Sequence, residues 1–406
     1  MRAAPGILPL AAILLAALAL HYDALKAPFF ADDYLFLDQV RDRSLIAALA
    51  APDPLGNYFR PVSRQLHFWT LARLTHESPA AFHAVNLGIF VVVVGLSFAV
   101  CRAAAGIEAA AIGASFVALH HSADVPVLWA SGSQDLLAVA GSLAAFLLHR
   151  GGRRFWAAAV LLIALLCKET VLMAPWIAAA LDRRPRERWS SVLRRAWPMG
   201  AAVGLWGLIW LATRARRPAI GLEARFDPAG LPGMLVHLPQ VVLGLEWPHD
   251  GPAKMLHAPP WLALGLVALG LWGARSGARR PLPHQPKRST TTPAPAAAPL
   301  SPARGALFAG LAWAVLGMLP AFAVADIWSA YFYLFAMCGV GLALGVLLRA
   351  RPLIVTLAVM GILGWGSENA RRMTEFATGR GAWTVQSHVN RFYLERAMRK
   401  AGYYLA

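Results

Sequence analysis

The sequence predicts an all-α, polytopic membrane protein with about eleven transmembrane helices. Three observations predict it. Of the 406 residues, 58% are hydrophobic and only 15% are charged, whereas a soluble domain carries about a quarter charged residues. The runs at 7–20, 89–100 and 329–348 are too apolar and too long for a water-facing fold. The formal net charge of +17 sorts by side once these runs are taken as spans. The composition excludes a disordered chain, which needs low hydrophobicity. It also excludes a disulfide scaffold, because Cys101, Cys167 and Cys338 all sit in or beside apolar runs.

The candidate spans run over 6–22, 81–101, 104–120, 132–149, 155–167, 170–181, 197–213, 260–274, 305–325, 328–349 and 352–366. The first also resembles a signal peptide cleaved after Ala17-Leu18-Ala19, and either reading leaves 23–80 outside. The fifth and sixth are short. Arg153 and Arg154 precede them, and Arg183, Arg184, Arg186 and Arg188 follow. Basic clusters favour the cytoplasm, so the chain is expected to turn back near Lys168-Glu169. The run at 231–245 contains His237 and Pro239 and reads as an external or re-entrant helix.

With the N-terminus inside, 19 of the 38 Lys+Arg and 3 of the 21 Asp+Glu fall on the cytoplasmic side. The external side then holds 19 basic and 18 acidic residues. The basic excess is an orientation signal, and no nucleic-acid partner is needed to explain it. Domain organisation follows. Residues 1–366 form the membrane domain, with a first external loop at 23–80 and a Pro-rich cytoplasmic linker at 281–304. Residues 367–406 form an external amphipathic tail. The loop is expected to hold interfacial helices at about 33–50 and 61–76, with Tyr34, Leu37, Val40, Val62, Leu66 and Trp69 toward the membrane. No internal repeat, Walker motif or paired metal-ligand spacing appears, so no metal or other cofactor is expected.

The chemistry-bearing residues crowd the external side. Asp32-Asp33 follows the first span, and two adjacent carboxylates at a membrane surface suit general-base work or simple helix capping. Arg60, Ser63, Arg64 and His67 recur at helical spacing and form one polar face. That face suits a phosphate or lipid headgroups. His83 and Asn86 lie one helical turn apart within a span, where polar residues face a cavity or another helix. His120, His121 and Asp124 offer a metal-like spacing without clear further ligands. Asp135 enters the fourth span at its N-terminus, where the helix dipole favours an acid. Lys168 and Glu169 place two charges at the turn of a short hairpin, a costly arrangement unless they are paired or functional.

In order along the chain, these elements resemble the GT-C superfamily of integral-membrane glycosyltransferases. The likeness is closest to the protein O-mannosyltransferase-like branch, including the membrane O-mannosyltransferases with tetratricopeptide repeats. The matched elements are Ala31-Asp32-Asp33, Phe59-Arg60-Pro61-Val62, Phe82-His83-Ala84-Val85-Asn86, His120 nine residues before Trp129, Asp135-Leu136-Leu137 and Leu166-Cys167-Lys168-Glu169. The resemblance implies transfer of a sugar from a polyprenyl phosphate to a protein, glycan or lipid acceptor outside the membrane. Asp32 or Asp33 would act as base or orient the acceptor. Arg60, Arg64, Lys168, Arg214 and Tyr331 would hold the donor phosphate or lipid. His67, His83, Asn86, His120, Asp124, Asp135 and Glu169 would line the acceptor or sugar cavity.

The chain departs from that pattern in places. Ser133 and Ser329-Ala330 stand where relatives carry arginine or Glu-Arg, no repeat follows the last span, and the acid between His and Trp is shifted to Asp124. A flippase or exporter of lipid-linked sugars is the alternative function, and a catalytically degenerate assembly partner is another. The preference for Arg over Lys and the high Ala content point to a bacterial inner membrane, with the C-terminus in the periplasm.

Overall fold

In the computed structural model, residues 6–55, 59–184, 186–214, 230–246, 265, 267–272, 274–275, 302–381 and 384–405 are described. Among them the regular elements are helical throughout. Seven helical segments are long and apolar enough to cross a membrane: Ile7–Lys26, Pro79–Ala105, Ala130–Arg150, Trp189–Thr213, Ala303–Ile327, Ala330–Leu348 and Leu353–Arg371. These match seven of the eleven expected spans. The expected 104–120 and 155–167 are shorter apolar helices, Ile107–Leu119 and Arg154–Leu165. The expected 170–181 is a helix over Ala174–Asp182. Of the expected 260–274, residues 265, 267–272 and 274 are described and helical, while the remaining seven and all of 281–301 lie outside the described residues.

In chain order the α-helices are α1 (Ile7–His21), α2 (Asp32–Val40), α3 (Leu45–Ala50), α4 (His67–Thr75), α5 (Pro79–Ala105), α6 (Ile107–Leu119), α7 (Asp124–Leu128) and α8 (Ser133–Arg150). They continue with α9 (Arg154–Leu165), α10 (Ala174–Asp182), α11 (Trp189–Arg214), α12 (Leu231–Leu243), α13 (Pro302–Met318), α14 (Leu334–Leu348), α15 (Leu353–Arg371) and α16 (Arg391–Leu405).

Helix ends gather at two poles. At one, Arg150 donates to the carbonyls of Ala103 (2.6 Å) and Leu181 (3.0 Å), and Arg349 donates to Ala105 (2.8 Å). Both ends of the α9–α10 pair therefore meet there, and the chain does turn back at Lys168-Glu169. The other pole collects Asp32, Asp33, Asp53, Asp124 and Asp135 with the loop over 23–80.

Close helix contact in the centre rests on small residues. Gly341 and Gly345 of α14 lie one turn apart and face Ala109 and Gly113, also one turn apart on α6. A Cβ on Gly345 would meet the Ala109 carbonyl oxygen at 2.3 Å, and one on Gly341 would meet the Gly113 oxygen at 2.7 Å. In hydrocarbon, where burial drives little, this backbone approach is the source of packing energy. Gly345→Val is expected to destabilise the bundle by about 1–3 kcal/mol through overpacking. Thermal unfolding of the purified variant reads this, and an unchanged midpoint would contradict it.

The loop helices differ from expectation. The expected helix 33–50 is two, because Asp42 takes a positive φ of 56° and Ser44 caps α3. Leu37 and Val40 do not face lipid. They are buried with Phe36, Phe68, Leu71 and Phe82 in a small second core. Tyr34 and Leu35 are the large apolar residues left exposed on α2, along with Asp38.

Candidate functional site

The site begins with the turn before α2. Ala31 holds a positive φ of 49°, a strained backbone for a residue with a Cβ. What over-determines it is Asp33. Its Oδ2 accepts the Phe30 N–H (3.1 Å), and its Oδ1 accepts both the backbone N–H (2.8 Å) and the hydroxyl (2.5 Å) of Ser131. Asp33 is fully buried. Burial pushes its pKa up to about 7, against the pull of the Ser131 and Phe30 hydrogen bonds. Asp33 is thus held by three donors inside the protein, 0% exposed, with its carboxylate shut off from solvent. It fixes the turn and so aims Asp32.

The loop that carries Ser131 is held in turn by Asn86. Its Nδ2 donates to the carbonyls of Trp129 (2.8 Å), Pro126 (3.2 Å) and Ala130 (3.3 Å). Asn86 is therefore a loop clamp rather than a cavity wall. His83, one turn earlier, is fully buried. Gly132 completes the turn, since a Cβ there would meet the Pro126 oxygen at 2.4 Å. Asp33→Asn is expected to lower the thermal midpoint, because an amide presents a donor where the Phe30 or Ser131 N–H now donates. The cost is about 1–3 kcal/mol. An Asp33→Asn protein as stable as the parent would remove Asp33 from this role.

Asp32 is different. It is partly exposed, and none of the described residues gives its carboxylate a hydrogen bond or ion pair. Burial raises its pKa, while Arg64, Arg60 and Lys168 pull it back down. Those three cations come from distant parts of the chain. Arg60 precedes a π turn over Val62–Leu66, a helical form frequent at functional sites. That turn docks on the end of α9: Val62 N–H donates to Leu166 O (3.3 Å), and the Ser63 hydroxyl donates to Cys167 O (2.7 Å). These bonds satisfy carbonyls that the end of α9 leaves unpaired. They also bring Arg60 and Arg64 beside Lys168 and Glu169.

Each cation has a carboxylate. Arg60 forks onto Glu169, with its Nε at 2.9 Å from Oε2. Arg64 pairs with Asp53 and lies over the Phe36 ring at 4.6 Å. Lys168 reaches both oxygens of Asp135 at 2.7 Å and stands 5.0 Å from the Tyr331 ring. The Gln134 Oε1 joins the two arginines, accepting from Arg60 Nη1 (2.8 Å) and Arg64 Nε (3.1 Å). The structure thus unites Asp32, Arg60, Arg64, Lys168, Glu169, Asp135 and Tyr331 of the expected set.

His67 is not among them. The π turn changes the phase of the helix that follows, and the His67 ring packs against Phe68 and Phe82 at centroid distances of 5.9 and 6.4 Å. Its burial lowers its pKa to about 4. Arg214 closes α11, and its side chain lies outside the described ones.

His120 and Asp124 belong to a second polar group. His120 lies 2.9 Å from the Ser122 hydroxyl and 3.1 Å from Val241 O. Asp124 takes Arg371 Nε at 2.8 Å, with His21 Nδ1 3.7 Å away. The tail seals this group. Buried Glu246 accepts the Ser387 N–H (2.9 Å) and hydroxyl (2.7 Å), and the Ser387 oxygen accepts the Ala330 N–H (3.0 Å). Ser329-Ala330 is thereby used for docking the tail.

Asp53, Gln134, Ser131, Arg371 and Glu246 were not singled out from the sequence. Asp53 lies between two prolines, and that turn-like setting hides a buried ion-pair partner. Among the described residues, no three His, Cys, Asp or Glu side chains form a metal-holding group. No family model, curated protein or solved structure matches this chain.

Proposed function

We propose that the protein is a GT-C-like integral-membrane glycosyltransferase, acting at its acidic pole on a polyprenyl-phosphate sugar. One observation carries this reading. Asp32 is the carboxylate left without a hydrogen bond among the described residues of a cluster in which Arg60, Arg64 and Lys168 converge. The deprotonated Asp32 takes the proton of an acceptor hydroxyl within hydrogen-bond reach. The acceptor oxygen bonds to the anomeric carbon, the bond from that carbon to the phosphate oxygen breaks, and its electron pair stays on the phosphate. Arginine forks and an ammonium aimed at that developing charge supply the main stabilisation. Attack opposite the phosphate inverts the anomeric centre, and no metal is required.

The proposed topology has eleven passes, with the arginine pole in the cytoplasm and the acidic pole in the periplasm of a bacterial inner membrane. The segregation of charge between the poles supports this orientation. A second reading, an inactive relative serving in assembly, is favoured by one fact: Arg60, Arg64 and Lys168 each already hold a carboxylate.

The deciding experiment uses purified protein in vesicles with labelled polyprenyl-phosphate hexoses and pentoses, with and without a chelator. Release of polyprenyl phosphate that survives chelation is the expected result. No release from any donor would favour the inactive relative.

A further inference from the structure

A cleft of about 590 Å³ lies at the opposite, arginine-rich pole. It opens where the last residues of α5, α8 and α10 meet the first of α13. Arg150, Arg183, Arg184, Arg186 and Arg304 line it, with Asp182 as the one acid among the described lining residues. Asp182 does little to neutralise them, because its Oδ2 accepts Arg195 Nε at 2.8 Å. Neighbouring Glu187 is also bound by Arg195. Arg150 donates to two backbone carbonyls, neutral contacts that fix its position without forming an ion pair. Arg150, Arg184, Arg186 and Arg304 are exposed. The stretch 276–301, which leads into α13, carries Arg279, Arg280, Lys287 and Arg288 and no Asp or Glu.

The cleft also has an apolar wall, in which Phe308 is 49% exposed. Its ring is 6.1 Å from that of Trp189. Aromatic rings at the end of a span are the usual signature of the headgroup level.

We propose that this cleft binds a phosphate-bearing anion, supplied as the headgroup of an anionic phospholipid whose acyl chains run along α13 past Phe308. Guanidinium forks match phosphate oxygens, and basic pockets between spans hold anionic headgroups. The site is separate from the sugar-transfer reading and stands or falls independently of it.

The test titrates full-length protein in neutral detergent with fluorescent phosphatidylglycerol, fluorescent phosphatidylcholine and inorganic phosphate as competitor. Phosphatidylglycerol is expected to bind about tenfold tighter or more. Arg184→Gln/Arg304→Gln should remove that preference, and Arg399→Gln/Lys400→Gln on the exposed face of α16 should not. Equal binding of the two lipids, or a preference that survives Arg184→Gln/Arg304→Gln, overturns the proposal. Displacement by millimolar inorganic phosphate would assign the cleft to a soluble phosphate compound and overturn the lipid assignment. The wild-type lipid comparison decides even if the double variant misfolds.

Discussion

Asp32→Asn is expected to cut the proposed sugar transfer by about 10²–10⁴-fold, the usual worth of a positioned general base, without lowering the thermal midpoint. The two halves follow from one feature. Asp32 accepts no hydrogen bond from the described residues, so an amide there breaks no contact that the fold uses. Asp33, its neighbour, is the reverse case: three donors hold it, and its loss is read in stability. The pH profile adds a second check. Burial raises the Asp32 pKa, and Arg64 and Arg60 limit the rise. The active form is the ionised one, so the rate climbs with pH through the raised value. The acidic limb of kcat/KM is expected above the ordinary carboxylate range. Removing a nearby positive charge, as in Arg60→Gln, should move that limb to higher pH. For stability the sign is opposite: an acid with a raised folded pKa favours the fold at low pH, and that contribution is lost as pH rises through the raised value. An Asp32→Asn enzyme with wild-type turnover would end the assignment.

Lys168→Met is expected to cost about 3–5 kcal/mol, because it leaves a buried carboxylate without its partner. Lys168 and Asp135 are 7% and 4% exposed. Asp135 lies in the first turn of α8, where the helix dipole offsets part of the loss. The double variant Lys168→Met/Asp135→Leu should recover most of the stability, since replacing a buried pair by apolar residues is often close to neutral. It should not recover activity, because the phosphate loses a cation. Denaturation midpoints of the two variants separate the cases. A single variant as stable as wild type would mean that the pair is not what holds the hairpin turn.

Local pattern made much of this architecture legible. Apolar runs located the long spans, and the basic flanks of 155–181 located the turn at Lys168-Glu169. The spacing of Arg60, Ser63 and Arg64 announced a common face. Partners were not legible, because they lie far away in sequence. Arg60 meets Glu169 across 109 residues and Gln134 across 74, and no periodicity encodes such a meeting. The π turn at Val62–Leu66 defeated the helical count for His67, since a phase change of that kind has no composition signature. Leu37 and Val40 read as membrane-facing because an apolar helix face looks the same whether lipid or protein covers it. The two aspartates are adjacent and chemically identical in sequence. Only the meeting of Ser131 with Asp33 gives them separate tasks.

The central claim is that Asp32 and the three cations form one pocket for a lipid-linked phosphate. The most direct measurement is a cryo-electron microscopy map of the protein saturated with a polyprenyl phosphate. Phosphate density is predicted within hydrogen-bond distance of Arg60, Arg64 or Lys168, beside the Asp32 carboxylate, with the isoprenoid tail leaving between the 23–80 loop and the Lys168-Glu169 turn. A phosphate bound elsewhere, with this cluster unchanged and empty, would contradict it.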